Sequence, residues 1–277
     1  MMKTMAILTD ITKCIGCEAC VTACKSTYQL PPDKPWRWQK DVNDLSATRW
    51  TTIVNRPGEH HVREQCRHCA EPACASACPV GALHKTPEGP IVYDGSICMG
   101  CRYCMMACPY GIPRYTWDEP VPYVRKCIMC HEKIRSGEQT QPSCTNACPT
   151  GATVFGDRDD LLALAHQTLK TNPGKYIDRV WGEKEVGGSN VLYLSPIKLD
   201  FLGLKPDLGV ESLPARTWPA LRIVPGVFVG VGIAMSAACW VVGRRMKIMN
   251  EQAPAVNAPE KNETEPPEKA KKEEAGK

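Results

Sequence analysis

The longest apolar run in the chain, Ile223 to Gly243 (IVPGVFVGVGIAMSAACWVVG), holds 21 residues without a charge. A helix of that length crosses the hydrocarbon core of a bilayer, so the run predicts a single transmembrane helix. Pro225 falls in its first turn, where a missing amide donor is tolerated. Trp218 and Trp240 stand close to its ends, where aromatic belts are found. The small residues Gly226, Gly230, Gly232, Ala234 and Ala238 include GVFVG, a spacing that suits close packing on a second membrane helix and also a lone flexible anchor. A buried helix of a soluble core is the alternative, disfavoured by the length and composition of the run.

Elsewhere the pattern is weaker. Leu161, Leu162, Ala165 and Leu169 share one face of a helix predicted over Asp157–Leu169, with Asp157 as its cap. RWTTIV and Val191–Leu194 predict short strands, and PPDKPW predicts a loop. Residues 170–218, rich in glycine and proline, predict an extended arm that packs on partners. From residue 250 to 277, seven Glu, five Lys and four Pro with almost nothing apolar predict a disordered tail. The tail carries −2, leaving +6 on the rest of a chain whose net charge is +4, too moderate a charge to point to nucleic acid. Four segments result: 1–157, a cysteine-rich domain; 158–218, helix and arm; 219–247, membrane helix and flanks; 248–277, charged tail.

Cysteine changes the picture. Sixteen of the seventeen cysteines fall in four quartets: Cys14, Cys17, Cys20, Cys24; Cys66, Cys69, Cys74, Cys78; Cys98, Cys101, Cys104, Cys108; and Cys127, Cys130, Cys144, Cys148. The last three quartets end alike, in CPVGA, CPYGI and CPTGA, whereas the first ends in Cys24 and Lys25. A disulfide framework belongs to short secreted chains, and this one has 277 residues. Zinc takes paired CxxC hairpins or mixed Cys and His ligands, and CxxCxxC holds one thiolate more than such a hairpin uses. A cubane iron-sulfur cluster uses it: one tight loop grips three irons and a remote cysteine the fourth. Cys98 to Cys108 matches CxxCxxCxxxCP to the letter; the second quartet widens one gap, and the fourth inserts thirteen residues before Cys144. Four 4Fe-4S clusters are expected. Cys239, inside the apolar run, is left over as a lipid-facing or helix-packing thiol.

In order and spacing the quartets resemble the four-cluster electron-transfer subunits of membrane-associated oxidoreductases. The nearest are the beta subunits of respiratory formate dehydrogenases and of a quinone-linked nickel-iron hydrogenase, with polysulfide and dimethyl sulfoxide reductase subunits further off. The resemblance covers residues 5 to about 195 and continues through FGDRDDLLALA and WGEKEVGGSNVLYLS. Lys25 in place of proline is shared with the family's first quartet. The resemblance implies that the outer quartets exchange their last cysteines and the inner quartets do likewise. The sets are then Cys14, Cys17, Cys20 with Cys148; Cys127, Cys130, Cys144 with Cys24; Cys66, Cys69, Cys74 with Cys108; and Cys98, Cys101, Cys104 with Cys78. It also implies an α+β fold of tandem ferredoxin-like repeats with long loops, each repeat holding two clusters, plus one C-terminal transmembrane helix.

The function implied is an electron conduit. A catalytic subunit with a molybdenum- or tungsten-pterin or a nickel-iron centre supplies electrons, and a membrane cytochrome b or quinone-binding subunit receives them; in a reductase the direction reverses. No GxGxxG, P-loop or triad marks a catalytic residue in this chain. Two other readings stay open: a membrane-tethered ferredoxin serving soluble donors, and a zinc-stapled scaffold.

Residues beside the cysteines invite roles of their own. Arg67, Arg102 and Lys126 are candidates for raising a cluster potential, though solvated surface charge is the preferred reading of each. His68 and His131 read as polar packing before ligands or proton relays. Trp36, Trp38 and Trp50, in the insertion after the first quartet, read equally as partner anchors or as core. Arg244, Arg245 and Lys247 follow the span, against Arg216 and Arg222 before it, which places the C-terminus in the cytoplasm and the cluster domain in the periplasm, at the inner membrane. MMKTMAILTD has no apolar signal region, so that placement requires export with a partner carrying a twin-arginine signal; a cytoplasmic cluster domain is the alternative.

Overall fold

The computed structural model describes residues 4–33, 44–205 and 208–252. Trp36, Trp38 and nearly all of the charged tail lie outside the described residues. The chain divides into two units, Met1–Pro219 and Ala220–Lys277.

In the first unit the elements follow the quartets. β1 (Met5–Asp10) leads into the first, whose second half is α1 (Ala19–Tyr28). A hairpin of β2 (Thr51–Arg56) and β3 (His60–Gln65) leads into the second, which includes the short helix α2 (Ala73–Ser76). A hairpin of β4 (Leu83–Lys85) and β5 (Ile91–Tyr93) separates it from the third, which carries α3 (Tyr103–Ala107). β6 (Arg114–Tyr115) and β7 (Val124–Arg125) pair before the fourth, which carries α4 (His131–Arg135) and α5 (Ser143–Asn146). β8 (Thr153–Asp157), α6 (Arg158–Thr171) and β9 (Val191–Leu194) follow. α1 packs against α5, and α2 against α3, so the helices of the outer quartets meet and those of the inner quartets meet.

β1 is the middle strand of the three-stranded sheet, antiparallel to β8 and parallel to β9. Successive side chains of a strand point to opposite faces, and here both faces are covered. Ala6 and Leu8 join Leu192, Leu194 and the α6 residues Leu161 and Ala165 in one apolar cluster. Ile7, Val191 and Tyr193 face the other way, into a cluster that also holds Cys24, Cys66, Cys127 and Cys144. The sheet therefore divides an ordinary helix-on-sheet core from a core built around thiols. Asp157 caps α6 as the sequence predicts, its carboxylate accepting from the Asp159 amide at 3.0 Å.

The extended arm is corrected. Val180, Trp181, Leu199, Leu202 and Leu204 are buried in the first unit's own core, and Trp181 bridges to Tyr193. Its glycines and prolines shape turns rather than free extension, because the segment supplies the third strand that β1 needs. A further helix, α7 (Leu213–Leu221), contains Pro219.

In the second unit α8 (Val224–Gln252) starts one residue after the predicted span, keeps Pro225 in its first turn and runs on past Gly243 through Arg244, Arg245 and Lys247. None of its residues is buried. Leu213–Gln252 is the one stretch among the described residues long and apolar enough to cross a membrane, with mean hydropathy 1.9 in its most apolar window. A soluble core helix of this composition would be covered by protein; α8 is not.

Candidate metal-cluster site

The quartets come together across the sequence. One cavity is lined by Cys14, Cys17, Cys20 and the distant Cys148. A second is lined by Cys24, Cys127, Cys130 and Cys144, and a third by Cys78, Cys98, Cys101 and Cys104. The remaining four also converge: Cys69 and Cys74 each lie within Coulombic reach of Cys66 and Cys108. All sixteen are free thiols, and Cys239 is exposed on α8. Among the described residues no three His, Cys, Asp or Glu side chains close on a point where one metal ion would sit.

The loops share one backbone device. Between the first two cysteines of every quartet, the second residue is left-handed: Gly16 at φ 71°, His68 at 49°, Gly100 at 73° and Met129 at 57°. Left-handed backbone reverses the chain within one residue and turns amides toward the sulfurs, as where the Met129 amide donates to Cys127 Sγ at 3.3 Å. A Cβ at Gly16 would stand 2.6 Å from His61 Nδ1, so glycine there also makes room. Glu18 and Arg102, after the second cysteine, are left-handed too and begin α1 and α3.

After the last cysteine, proline turns the chain and the glycine two residues on is left-handed at Gly81, Gly111 and Gly151. This path brings the amides of Thr153, Ala152 and Thr150 onto Cys148. Burial opposes ionisation of Cys148, but the Thr150 hydroxyl and these amides outweigh it and hold the thiol below its ordinary value. Cys108 receives the amides of Ile112, Tyr110 and Gly111 in the same way, yet its deeper burial wins and its pKa is raised. Lys25 breaks the pattern because Cys24 lies inside α1, which continues to Tyr28; a proline at 25 would interrupt that helix. Its ammonium reaches Asp33 at 2.7 Å and the Pro31 carbonyl at 3.0 Å, tying down the start of the insertion.

Elsewhere burial dominates. It pushes Cys20 and Cys104 to about 11 and Cys74 and Cys127 to about 12, with neighbouring thiols adding to the rise.

Cations stand nearby. Arg67 and Lys126 are 1% and 3% exposed, so the solvated-charge reading is wrong for both. Arg67 donates to the Tyr193 hydroxyl and to the Leu202 carbonyl, and Lys126 to the carbonyls of Ile91 and Cys127. Arg102 is exposed, as expected, and lies over the rings of Tyr115 and Trp117. Sequence reasoning missed Arg63, which is 1% exposed and lines the Cys14 cavity. It also missed Gln65, fully buried and lining the Cys24 cavity. In β3 both follow the period of two that points inward, a signal masked by their polarity. His68 serves packing: its Nδ1 accepts from the Ile91 amide at 2.9 Å. Burial first, then Lys126 and His131, hold it neutral. Trp50 proves a core residue, tilted against Tyr28 at 4.8 Å and lining the Cys24 cavity.

The cavities suit a sulfur-bearing iron cluster better than a lone metal ion. Nε and Nη1 of Arg63 and Nε2 of Gln65 are buried without a partner in the protein. Buried donors are rarely left so, and these stand beside sulfurs. A cubane held by four thiolates carries net negative charge and accepts hydrogen bonds at its sulfurs, which answers both the charge and the orphaned donors.

Comparison with known proteins agrees. Residues 60–158 match the 4Fe-4S dicluster domain family and residues 11–28 the 4Fe-4S binding domain family. A protein of Nitratidesulfovibrio vulgaris is 43% identical over 264 residues, covering 90% of this chain and 70% of its own length. The hydrogenase-2 operon protein HybA of Escherichia coli O157:H7 is 36% identical over 252 residues, 77% of this chain and 76% of its own length. The iron-sulfur subunit of the nitrate-inducible formate dehydrogenase of Escherichia coli K12 is 33% identical over 202 residues, 69% and 67% respectively.

Proposed function

We propose, from the premise that this chain belongs to the family of 4Fe-4S iron-sulfur electron-transfer subunits of oxidoreductase complexes, that it is a four-cluster conduit between a catalytic subunit and a membrane subunit. The observation that carries the reading is the gathering of cysteines in fours, drawn from separate quartets, around cavities edged by unpartnered buried donors.

The ligand sets in this reading are Cys14, Cys17, Cys20, Cys148; Cys24, Cys127, Cys130, Cys144; Cys66, Cys69, Cys74, Cys108; and Cys78, Cys98, Cys101, Cys104. The outer quartets then form one ferredoxin-like half and the inner quartets another, a division supported by the packing of α1 on α5 and α2 on α3. A bound 4Fe-4S cluster supplies storage for one electron at a time. The chain does the rest. Its thiols give up their protons on loading, its loop amides turn toward the sulfurs, and Arg63 lines the cavity of Cys14, Cys17, Cys20 and Cys148.

The partners in this reading are a nickel-iron or molybdenum- or tungsten-pterin catalytic subunit on one side, and a cytochrome b or quinone-binding subunit beside α8 on the other; the names of the relatives, a hydrogenase operon protein and a formate dehydrogenase subunit, support a catalytic partner of that kind. Arg244, Arg245 and Lys247 favour a cytoplasmic C-terminus and a periplasmic cluster unit.

The test is elemental analysis of the complex that copurifies with this chain from membranes in mild detergent without oxygen. About sixteen irons from this chain are expected, with nickel, molybdenum or tungsten from the partner. Zinc without iron sinks the reading; iron with no firmly bound partner favours a tethered ferredoxin instead.

A further inference from the structure

Arg63 is the least expected group in the core. It projects from β3, opposite Ile53, into a region with 1% exposure. Its Nη2 donates to Gln65 Oε1, and its Nε and Nη1 have no acceptor. A guanidinium stays charged in proteins, and a buried charge is costly unless an opposite charge answers it. The groups around Arg63 are Cys144, Cys20, Tyr193 and Cys127. Burial works against its charge, and these groups outweigh that, raising its pKa. Arg63 also acts on Cys14 and Cys24. It therefore stands between two cavities: it lines that of Cys14, Cys17, Cys20 and Cys148, and it holds the Gln65 amide that lines that of Cys24, Cys127, Cys130 and Cys144.

We infer that Arg63 is a positioning residue shared by the two clusters of the outer quartets, favouring their reduced states together and making them the electron-holding pair of the chain. The inference rests on the four-cluster reading above. Reduction adds one negative charge to a cluster and forms no bond, so a fixed cation within reach stabilises the reduced state over the oxidised one, and N–H donors at the sulfurs act in the same sense. The inner quartets are served differently. Arg67 and Lys126 are buried beside them too, but both donate to protein oxygens, those of Tyr193, Leu202, Ile91 and Cys127, and the cavity of Cys78, Cys98, Cys101 and Cys104 is lined by Arg102, which is exposed and screened by water.

The experiment is a potentiometric titration, followed by electron paramagnetic resonance, of the purified complex carrying wild-type chain, Arg63→Gln or Arg63→Lys, with iron counted in each. Arg63→Gln is expected to weaken reduction of two of the four clusters at least tenfold, about 59 mV for one electron, and to move the other two less than threefold. Arg63→Lys, which keeps the charge but loses the fork, is expected to lower the same two by a smaller step. If the glutamine variant loses clusters, the lysine variant carries the test. Four loaded clusters with potentials unmoved, or moved alike in all four, overturn the inference. A wild-type chain holding fewer than four clusters overturns the reading beneath it.

Discussion

At Gly16 one hydrogen atom separates a working loop from a blocked one. Its left-handed backbone costs an alanine about 1–2 kcal/mol, and the added Cβ would also press on the His61 ring at 2.6 Å, which is held by Asn55 at 2.7 Å. Gly151 is as left-handed but has nothing within 4 Å. Gly16→Ala should therefore lower both stability and iron content, while Gly151→Ala lowers stability by about 1–2 kcal/mol and leaves iron near wild type; denaturant titration and iron assay of the two variants check this. Asp33 makes a pH prediction. Burial raises its pKa, but hydrogen bonds from Arg49 and Lys25 outweigh that and leave it below 3.8. A depressed carboxylate contributes stability that is present above its unfolded value and lost as pH falls through the folded one. Asp33→Asn should cost about 1–3 kcal/mol at pH 7, with the gap to wild type closing below pH 3.8 in urea midpoints measured from neutral pH downward. The sixteen cysteines are legible in sequence because their spacing is short-range. The burial of Arg67 and Lys126 is not, because a charge next to a cysteine looks the same whether distant parts of the chain, Tyr193 and Leu202 for Arg67 and Ile91 for Lys126, cover it or water does.

α6 was readable for the opposite reason, since its periodicity and its cap at Asp157 are written in one continuous stretch. Its inner face rests on Ala6, Leu8, Leu192 and Leu194, away from the thiols. Leu161→Ala should cost about 2–5 kcal/mol and Asp157→Ala about 1 kcal/mol, with the resonance signals of the clusters unchanged. Altered signals in Leu161→Ala would show that the two faces of the sheet are coupled. β9 begins and ends as its apolar run predicts, and RWTTIV foretold β2 but not its register. β4 to β7 hold only two or three residues each, too few for alternation to show. The segment after α6 misled because glycine and proline report turns, and turns serve a wrapped segment as well as a free one.

For the chain as a whole, the described part of the second unit is an apolar helix none of whose residues is buried. Ile233 lies near its middle, where an arginine raises the cost of insertion by about 2.5–3.5 kcal/mol. Wild-type chain should stay with membranes through alkaline carbonate extraction, and Ile233→Arg should be released in part; equal retention of both would argue that a partner, not lipid, holds the chain. The first unit sets a different constraint, one of time. β1 is made well before either of its sheet neighbours: β8 and β9 come at residues 153–157 and 191–194. At about 5–20 residues per second, the nascent strand waits roughly 10–40 s for its sheet. Cys14, Cys17 and Cys20 wait a shorter time, roughly 6–26 s, for Cys148. The growing polypeptide thus carries an unpaired strand and unligated thiols until residue 194 has been made, a stretch in which premature pairing or oxidation competes with folding.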